Sequence, residues 1–214
     1  MISRWIGLAA SCLICVVWMS AYGLPESEGT AAFIITVAVL QAVAGYQIGK
    51  YVDNLQRLAY LDSLTGVLVN RRFFQRLEEE VERGRRHQYP VTLLFIDLDN
   101  FKLFNDTYGH LEGDRLLSNF ARMLQQNVRI QDQVGRWGGE EFVVLLPHTE
   151  TEQGAQVGER IQASVRKQFN GITVSMGVAS FPLHAETATQ LARKADTLMY
   201  EAKKQKDCML VATK

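Results

Sequence analysis

The chain has 214 residues, a length that suits one ordinary domain together with a smaller attachment. Its 23 basic and 23 acidic residues balance to a formal net charge of zero, so no overall positive field points to nucleic acid as a partner. Three cysteines give no disulfide framework. Cys12 and Cys15 form a C-x-x-C pair inside an apolar segment, which predicts apolar packing rather than metal binding.

Two apolar segments, residues 5–24 and 31–49, begin the chain and carry no charged side chain. Each is close to the ~20 residues that a helix needs to cross a bilayer. Arg4 precedes the first segment and Lys50 follows the second, whereas the connector between them has two acids and no Lys or Arg. Because positive residues tend to stay in the cytoplasm, the sequence predicts a two-pass hairpin with both ends inside. A signal peptide is the alternative for the first segment, but its length and poor cleavage site disfavour it.

We therefore assign residues 1–50 to two transmembrane helices with a short external loop. The loop is too short for a ligand-binding domain, so a signal would act through the helices, the lipid bilayer or a partner membrane protein. Gly45 and Gly49 form a G-x-x-x-G pattern, which leaves a dimer face and ordinary small-residue content equally open. Apolar residues from Val52 onward predict that the helix continues through a linker, residues 51–61, and stops at the Asp62 turn.

The following part of the chain, residues 62–214, has the composition of a soluble domain in which helices and strands alternate. Asn70 is expected to cap the first helix, whose apolar face begins with Phe73. Periodicity and apolar runs predict further helices around 117–128, 157–165 and 191–202, and strands at 91–97, 172–180 and 209–212. Two strand-like runs within 134–146 predict a hairpin, which requires antiparallel pairing. The pattern predicts an α/β sandwich with a mainly antiparallel central sheet.

The strand predicted at 91–97 leads into two carboxylates, Asp97 and Asp99. A carboxylate at the end of a buried strand is costly to desolvate unless it is paired or bound to a metal. Residues two apart share a face of a strand, so these two carboxylates are expected to lie together. Hard oxygen ligands of this kind suit Mg²⁺, which commonly takes one or two carboxylates together with substrate phosphates.

Three polar residues farther along the chain fit a nucleotide beside such a metal. Lys102 is a plausible partner for a phosphate, and Asn105 and Asp114 have the hydrogen-bonding groups to read the edge of a base. Each residue alone also fits an ordinary role as a turn residue, a helix cap or a surface charge.

The turn of the predicted hairpin contains Gly138, Gly139, Glu140 and Glu141. Glycine tolerates positive φ and has no side chain to block a ligand, so this turn suits a molecule that comes close to the backbone. Side chains alternate along a strand, so Glu140 and Glu141 are expected on opposite faces, with one of them free to face a site. A solvated acidic turn is the alternative that the turn alone leaves open.

Taken together, these motifs resemble the diguanylate cyclase catalytic domain, the GGDEF family, here in a GGEEF form. The resemblance covers about residues 58–214. One such motif would be a weak signal, whereas the ordered set is highly specific. In family order the motifs are Asp62–Gly66, Asn70–Phe73, Asp97–Lys102 with Asn105 and Asp106, Gly109-His110, Gly113-Asp114, Gly138–Phe142, Thr173–Ala179 and Ala195–Lys203.

The resemblance implies a palm-like fold with a mainly antiparallel sheet of about five strands flanked by helices, similar to class III nucleotide cyclases. It implies that two GTP molecules are condensed into cyclic di-GMP and two pyrophosphates, each 3′-hydroxyl attacking the α-phosphate of the other nucleotide. One GTP per subunit and a two-fold symmetric product imply a homodimer. It also implies a bacterial protein whose anchor lies in the cytoplasmic (inner) membrane, with the catalytic domain in the cytoplasm.

Roles for individual residues follow from the same resemblance. Mg²⁺, or Mn²⁺, would be held by Asp97, Glu140 and the carbonyl of Leu98. The expected catalytic residues are Glu140, Glu141 and Lys102, and Glu141 has two open roles, near the attacking hydroxyl or as a second metal ligand. The expected GTP-binding residues contact phosphates, read guanine or wall the base pocket: Asn100, Phe101, Lys102, Lys203, Asn105, Asp114, Leu64 and Leu117.

An inhibitory site for cyclic di-GMP is implied by Arg129 and Asp132, an R-x-x-D motif placed ahead of the hairpin as in the family. Arginine offers bidentate donors to phosphate and stacks on guanine, and Asp132 can accept from a guanine edge. Arg160 matches a second arginine that contacts the product. An R-x-x-D at any other place would be interpreted as a surface ion pair between residues i and i+3.

The chain departs from the family pattern after Lys203. The family continues to Gly-Arg-Asn, whereas this chain has Lys206, Asp207 and Cys208, so the phosphate-directed arginine is replaced by a carboxylate. If the last helix runs as in the family, Asp207 lies near the phosphates and repels them. If the helix ends earlier, Asp207 points to solvent and Lys206 faces the phosphates instead.

Two other functions stay open beside the cyclase. One is a catalytically weak signalling receptor that binds cyclic di-GMP through Arg129 and Asp132, against which the intact hairpin residues argue. The other is a different nucleotide cyclase or a polymerase-like enzyme on a related palm, against which Asn105 and Asp114 argue because they suit guanine.

Overall fold

A computed structural model of the protein describes residues 28–58 and 60–213, and the side chains of residues 32–52 and 60–213. The chain divides after Tyr60 into two compact units. The described part of the first is one helix, and the second is the α/β domain that carries the predicted site.

The first unit contains helix α1 (Glu28–Leu58), which has 31 residues. Within it, Ala32–Val52 has a mean hydropathy of 1.7 and is long and apolar enough to cross a membrane. Large apolar side chains such as Phe33, Leu40 and Ile48 are exposed on this helix. The helix runs past Lys50 and ends at Leu58, whereas the predicted linker reached residue 61. The first predicted membrane segment, residues 5–24, lies outside the described residues. The described residues contain one candidate span, whereas the sequence predicted two in the whole chain.

The second unit is built on one six-stranded sheet. Its strands are β1 (Leu68–Val69), β2 (Val91–Leu98), β3 (Gln133–Arg136), β4 (Glu141–Pro147), β5 (Val174–Phe181) and β6 (Met209–Val211). They lie in the order β1-β3-β4-β2-β5-β6, with β2 at the centre between its antiparallel neighbours β4 and β5. The hairpin of β3 and β4 confirms the predicted antiparallel pair.

The prediction of about five mainly antiparallel strands is wrong in two respects. The sheet has six strands, and it is mixed because the short edge strands β1 and β6 run parallel to β3 and β5. Strand β1 has only two residues, which is too short to show the alternation that marks a strand in a sequence. Strand direction at an edge depends on the path of the connecting segment, and that path is set by tertiary packing.

Five helices flank the sheet: α2 (Asn70–His87), α3 (Phe101–Tyr108), α4 (His110–Gln126), α5 (Thr151–Gln168) and α6 (Ala188–Lys203). Each face of the sheet has its own apolar core. Leu94, Ile96 and Leu98 of β2 join the core that α4 and α5 cover. Leu93 and Phe95 point to the other core, which α2 and α6 cover. Burial on both faces explains why β2 is a near-continuous apolar run.

Alternation along β2 decides where its terminal carboxylate lies. Asp97 follows Leu93 and Phe95 at a spacing of two, so it is on the face that α2 and α6 cover. Helix α6 approaches this face closely because Gly177 of β5 has no side chain; a Cβ there would overlap the α6 carbonyl of Ala195. The close approach places Lys203, the last residue of α6, beside Asp97.

Candidate active site

The Asp97 carboxylate is almost completely buried, at 1% exposure, and only one of its oxygens is satisfied. Oδ2 accepts a hydrogen bond of 2.7 Å from Lys203 Nζ, whereas Oδ1 has no hydrogen-bond partner among the described residues. Burial raises the pKa of Asp97 to about 6, against the opposing effect of Lys203 and with added repulsion from Glu140 and Glu141. A buried acceptor without a donor is costly, so this oxygen is suited to a ligand that arrives from outside the fold.

Lys203 joins two carboxylates of the predicted metal site. Its Nζ lies 2.7 Å from Asp97 Oδ2 and 3.7 Å from Glu140 Oε1. Burial alone would lower the pKa of Lys203, but the hydrogen bond that Lys203 donates to Asp97 and the charges of Asp97, Glu140 and Glu141 raise it. The lysine side chain is 40% exposed, so its ammonium has room to move away from the pair.

The turn between β3 and β4 holds Glu140 at the surface beside Asp97. Arg136 fixes the turn by donating to the Gly139 carbonyl through Nη2, at 2.7 Å, and by bridging to Asp62 Oδ1 at 3.0 Å. Burial would raise the pKa of Asp62, but hydrogen bonds from Thr65 and Arg136 outweigh it and lower the pKa. Nothing in the sequence connects these two residues, which are 74 positions apart.

Only one of the two reasons expected for glycine in this turn applies. Neither Gly138 nor Gly139 has a positive φ. A Cβ on Gly139 would meet nothing within 4 Å, and one on Gly138 would contact Glu141 Oε2. The glycines therefore leave the surface beside the carboxylates free of side chains, so that a ligand can come close to the backbone.

Glu140 and Glu141 do not divide between the two faces as alternation predicted. Glu140 precedes β4, so strand alternation does not apply to it. Glu141 lies opposite Asp97 in the register of β4 and β2. Both glutamates are near enough to Lys203 to raise its pKa. Burial raises the pKa of Glu141, and the charge of Asp196 on α6 adds to that effect.

Asp99 has a structural role, in contrast to the expected pairing with Asp97 on one face. Its two oxygens accept hydrogen bonds from the hydroxyls of Thr173 and Ser175, both at 2.7 Å, and from the main-chain nitrogen of Asp207 at 2.8 Å. Strand β2 ends at Leu98, so alternation no longer governs Asp99. The carboxylate ties the end of β2 to β5 and to the C-terminal segment.

The predicted phosphate residues lie at the turn from β2 into α3. Asn100 adopts a left-handed conformation, with φ 61°, and α3 begins at the buried Phe101. Lys102, in the first turn of α3, is exposed. The first main-chain N–H groups of a helix have no partner within it, so this turn offers donors as well as a cation.

The predicted guanine residues come together between α3 and α4. Asn105 Oδ1 is buried and has no hydrogen-bond partner among the described residues. It lies against the bare Cα of Gly113, where a Cβ would overlap it, and the exposed Asp114 follows. Leu117 is buried in the adjoining core, and Leu64 packs against that core. Asn105 therefore lies against α4 at the residue before Asp114, and the two expected leucines belong to or pack against the adjoining core.

Asn70 does not cap α2 as expected. Val69 is the residue before the helix, and no side chain caps that end. Asn70 instead donates through Nδ2 to the carbonyl of Trp137, at 3.1 Å. This contact ties the start of α2 to the turn that carries Glu140.

The predicted inhibitory residues lie near one another around a separate turn. Asp132 Oδ2 accepts from the main-chain nitrogen of Arg129 at 2.7 Å, so the motif is a capped turn rather than an ion pair of the two side chains. Burial raises the pKa of Asp132, and the charges of Arg129 and Arg160 oppose this. Arg129 is exposed and, with Asp132, lines a cavity of about 310 Å³. Arg160 also donates to the carbonyl of Asn127.

The C-terminal segment settles how the last helix ends. Helix α6 stops at Lys203. Asp207 then pairs with Arg166 on α5, at 2.9 Å, and Lys206 Nζ donates to Asn100 Oδ1 at 2.7 Å. This agrees better with the second expected arrangement, in which Lys206 rather than Asp207 faces the phosphates. That expectation is wrong in one respect, because Asp207 pairs with Arg166. Nothing in the sequence connects Arg166 with Asp207, which lies 41 positions later in the chain.

A divalent cation is implied by the resemblance, and the residues present fit one. Asp97 Oδ1 has no hydrogen-bond donor among the described residues. Glu140 lies near Asp97, because Lys203 Nζ is within 4 Å of both carboxylates. Both carboxylates are hard oxygen ligands. Among the described residues, no group of three or more His, Cys, Asp or Glu side chains forms a complete cage. A two-carboxylate site is the type that Mg²⁺ completes with substrate phosphates.

The fold and the site together define a palm-like α/β domain with an acidic centre at the end of its middle strand. A family model described as "Diguanylate cyclase, GGDEF domain" matches residues 59–208. The chain belongs to this family.

Known relatives agree with that assignment. Diguanylate cyclase DgcP from Pseudomonas aeruginosa is 37% identical over 162 residues, covering 72% of this chain and 24% of DgcP. The chain spans less than half the length of the curated relatives it matches. The GGDEF domain of TpbB from P. aeruginosa has a TM-score of 0.67 at 34% identity, covering 72% of this chain and 94% of that one. The GGDEF domain of DgcB from Caulobacter crescentus, solved in complex with c-di-GMP, has a TM-score of 0.68 at 26% identity, covering 73% and 94%.

Proposed function

We propose that this chain is a membrane-anchored diguanylate cyclase, which condenses two GTP molecules into cyclic di-GMP and two pyrophosphates. The observation that carries the proposal is the buried Asp97 carboxylate, whose Oδ1 has no partner among the described residues, next to Glu140 on its bare glycine turn. Membership of the GGDEF family and the names of several relatives support it.

Asp97, Glu140 and the carbonyl of Leu98 would hold Mg²⁺ or Mn²⁺. When bound, the metal lowers the pKa of the attacking 3′-hydroxyl and neutralises charge on the phosphates. Without the metal, the ammonium of Lys203 offsets the electrostatic repulsion between Asp97 and Glu140. Once those charges are balanced, Lys203 is free to turn its ammonium to the triphosphate. Glu141 adds negative charge beside the pair.

The nucleotide is oriented by groups on α3 and α4. Lys102 and the main-chain N–H groups after Asn100 bind phosphate oxygens, and the unpartnered Asn105 Oδ1 accepts from the guanine edge together with Asp114. Leu64 and Leu117 form the apolar wall. These contacts fix the α-phosphate for in-line attack, and such positioning accounts for a large share of catalysis in reactions of two bound substrates.

The product has two-fold symmetry and each chain binds one GTP, so two chains face each other in a homodimer and each supplies half of the reaction centre. Cyclic di-GMP then inhibits its own synthesis by binding Arg129, Asp132 and Arg160. The cavity beside Arg129 and the exposed guanidinium support this inhibitory site.

Anchoring follows from the apolar span in α1, Ala32–Val52. Together with residues 5–24 it forms a two-pass anchor in the bacterial inner membrane, with both termini and the catalytic domain in the cytoplasm. The anchor passes on a signal that reaches it through the lipid or through a partner membrane protein.

The test is to incubate the purified full-length chain with GTP and Mg²⁺ and to identify the product by mass spectrometry. Cyclic di-GMP and pyrophosphate in a molar ratio of one to two support the proposal. A chain that binds cyclic di-GMP but leaves GTP unchanged is the receptor instead. Turnover of ATP at a comparable rate indicates a different nucleotide cyclase.

A further inference from the structure

The segment after α6 is held in an uncommon conformation. Lys206 and Asp207 both have positive φ, at 58° and 47°, in a region that residues with a side chain rarely adopt. Each such residue costs about 1 kcal/mol or more, so tertiary contacts must hold the segment in place.

Asp207 supplies those contacts. Its main-chain nitrogen donates to Asp99 Oδ2 at 2.8 Å. Its carboxylate accepts from Arg166 in a two-pronged pair, with Nε 2.9 Å from Oδ2 and Nη2 2.9 Å from Oδ1. Asp99 is almost completely buried and held by two hydroxyls of β5. Asp207 is therefore fastened between the end of β2 and α5, and its negative charge is neutralised.

The same turn sends Lys206 to the phosphate side of the site. Lys206 Nζ donates to Asn100 Oδ1 at 2.7 Å, just as Lys203 donates to Asp97 Oδ2 at 2.7 Å. The two lysines are three residues apart, and so are their two acceptors. The end of α6 thus places one ammonium beside the Asp97 carboxylate, and the segment after α6 places a second beside the turn that begins α3.

We propose that Lys206 is a phosphate-binding residue for GTP, which compensates for the carboxylate at position 207, and that Arg166 is its positioning residue. The inference rests on the proposed function, because it names the nucleotide of that site. An ammonium has three donors, and Asn100 uses one, so the others remain for phosphate oxygens. Asp97 Oδ1, buried and without a partner among the described residues, independently marks the adjoining position as a ligand site.

Arg166 acts by keeping Asp207 away from the phosphates. Without the guanidinium, the Asp207 carboxylate would be an uncompensated negative charge beside Lys206, and it would weaken the binding of the triphosphate. Loss of Arg166 should therefore reduce affinity for GTP, and removal of the Asp207 charge in the same chain should restore much of it. A merely structural role of the ion pair predicts the opposite sign for the second change.

The first experiment measures the Kd of Mg²⁺-GTP for the full-length chain in detergent, by calorimetry, for wild type and three variants. Lys206→Ala should raise Kd about 3- to 10-fold, the loss of about one charge-assisted hydrogen bond, and Lys206→Arg should stay within about twofold of wild type. The matched control is Lys204→Ala, because Lys204 pairs with Glu201 at 2.7 Å on the helix surface; its Kd should not change. Lys206→Ala should also weaken the salt dependence of Kd.

The second experiment compares Arg166→Ala with the double variant Arg166→Ala/Asp207→Asn. The double variant should bind GTP more tightly than the single one. A Kd for Lys206→Ala equal to that of Lys204→Ala, or a double variant weaker than Arg166→Ala, overturns the proposal. The outcomes separate it from the proposed function: tight GTP binding without cyclic di-GMP contradicts the cyclase alone, product formation with an unchanged Kd contradicts Lys206 alone, and no GTP binding by wild type contradicts both.

Discussion

At the scale of single residues, Asp97 shows how a functional group opposes stability. Its carboxylate is buried and half satisfied, and its pKa of about 6 lies above the ordinary value of 3.8. The folded protein therefore binds more protons than the unfolded chain between these values, so its stability falls as the pH rises through that window. Above the folded pKa, the full cost of the buried charge is present.

Asp97→Asn should remove this pH dependence. The free energy of unfolding of the variant, relative to wild type, should rise by about 2–3 kcal/mol between about pH 4 and about pH 8, because Asn does not titrate. Denaturant unfolding at the two pH values, without divalent metal, measures the difference. A difference that stays constant with pH would contradict the raised pKa. Added Mg²⁺ should then stabilise wild type and leave the variant unchanged.

Arg129 offers a second test at this scale. Its guanidinium is exposed, and Arg129 lines a cavity that includes none of the residues proposed for the reaction centre. Arg129→Ala should leave the initial rate within about twofold and abolish inhibition by added cyclic di-GMP. Initial rates with and without the product check this, and equal inhibition in both proteins would remove Arg129 from the inhibitory site.

At the scale of elements, the contact of α6 with β5 determines where Lys203 lies. Gly177 leaves no space for a side chain, because a Cβ would overlap the main chain of α6 at Ala195 and Met199. Backbone atoms cannot swing aside as the end of a long side chain can. The position of the metal-site lysine thus depends on a glycine on another strand.

Gly177→Ala should lower the free energy of unfolding by about 3 kcal/mol, the cost of overpacking a core against backbone. The matched control is Gly139→Ala, where a Cβ would meet nothing within 4 Å; its stability should stay within about 0.5 kcal/mol of wild type. Chemical denaturation of both variants gives the comparison. Equal stabilities would show that α6 does not approach β5 as closely as described.

Local pattern sufficed for some elements and failed for others. The strand that ends at Asp97, the hairpin and the helix faces were predictable because burial repeats every two residues in a strand and every three or four in a helix. The edge strand β1 and the parallel pairing of both edges depend on distant chain segments. Asn70 was predicted as a cap because cap preference is local, yet its side chain bonds Trp137 across the site.

In the candidate site, too, features that depend on local motifs were predictable, and contacts between distant residues were not. The position of the carboxylate Asp97 at the end of the middle strand was predictable from the sequence, and the nucleotide-binding roles stay predictions from ordered motifs that the family shares. The contacts that hold the centre join residues far apart in the chain, such as Asp62 with Arg136 and Arg166 with Asp207. Only the folded structure shows that Asp99 is fully engaged or that Lys206 reaches Asn100.

At the scale of the whole molecule, the apolar helix α1 is the candidate for the proposed membrane anchor. Large side chains such as Phe33, Ile35 and Ile48 are between 64% and 70% exposed, which is costly in water and favourable in lipid. The full-length chain should therefore sediment with membranes and resist extraction by high salt and alkaline carbonate. Residues 61–214 alone should stay in the supernatant, and release of the full-length chain by salt would contradict anchoring.

The central claim is that Asp97 and Glu140 together hold the metal that drives the condensation of GTP. The most direct measurement is the amount of cyclic di-GMP formed from GTP and Mg²⁺ by wild type and by Glu140→Gln, which keeps an oxygen at the site but loses the charge. We expect product from wild type and a loss of at least about 100-fold in the variant, with unchanged folding by circular dichroism. Wild-type turnover by Glu140→Gln would contradict the metal assignment.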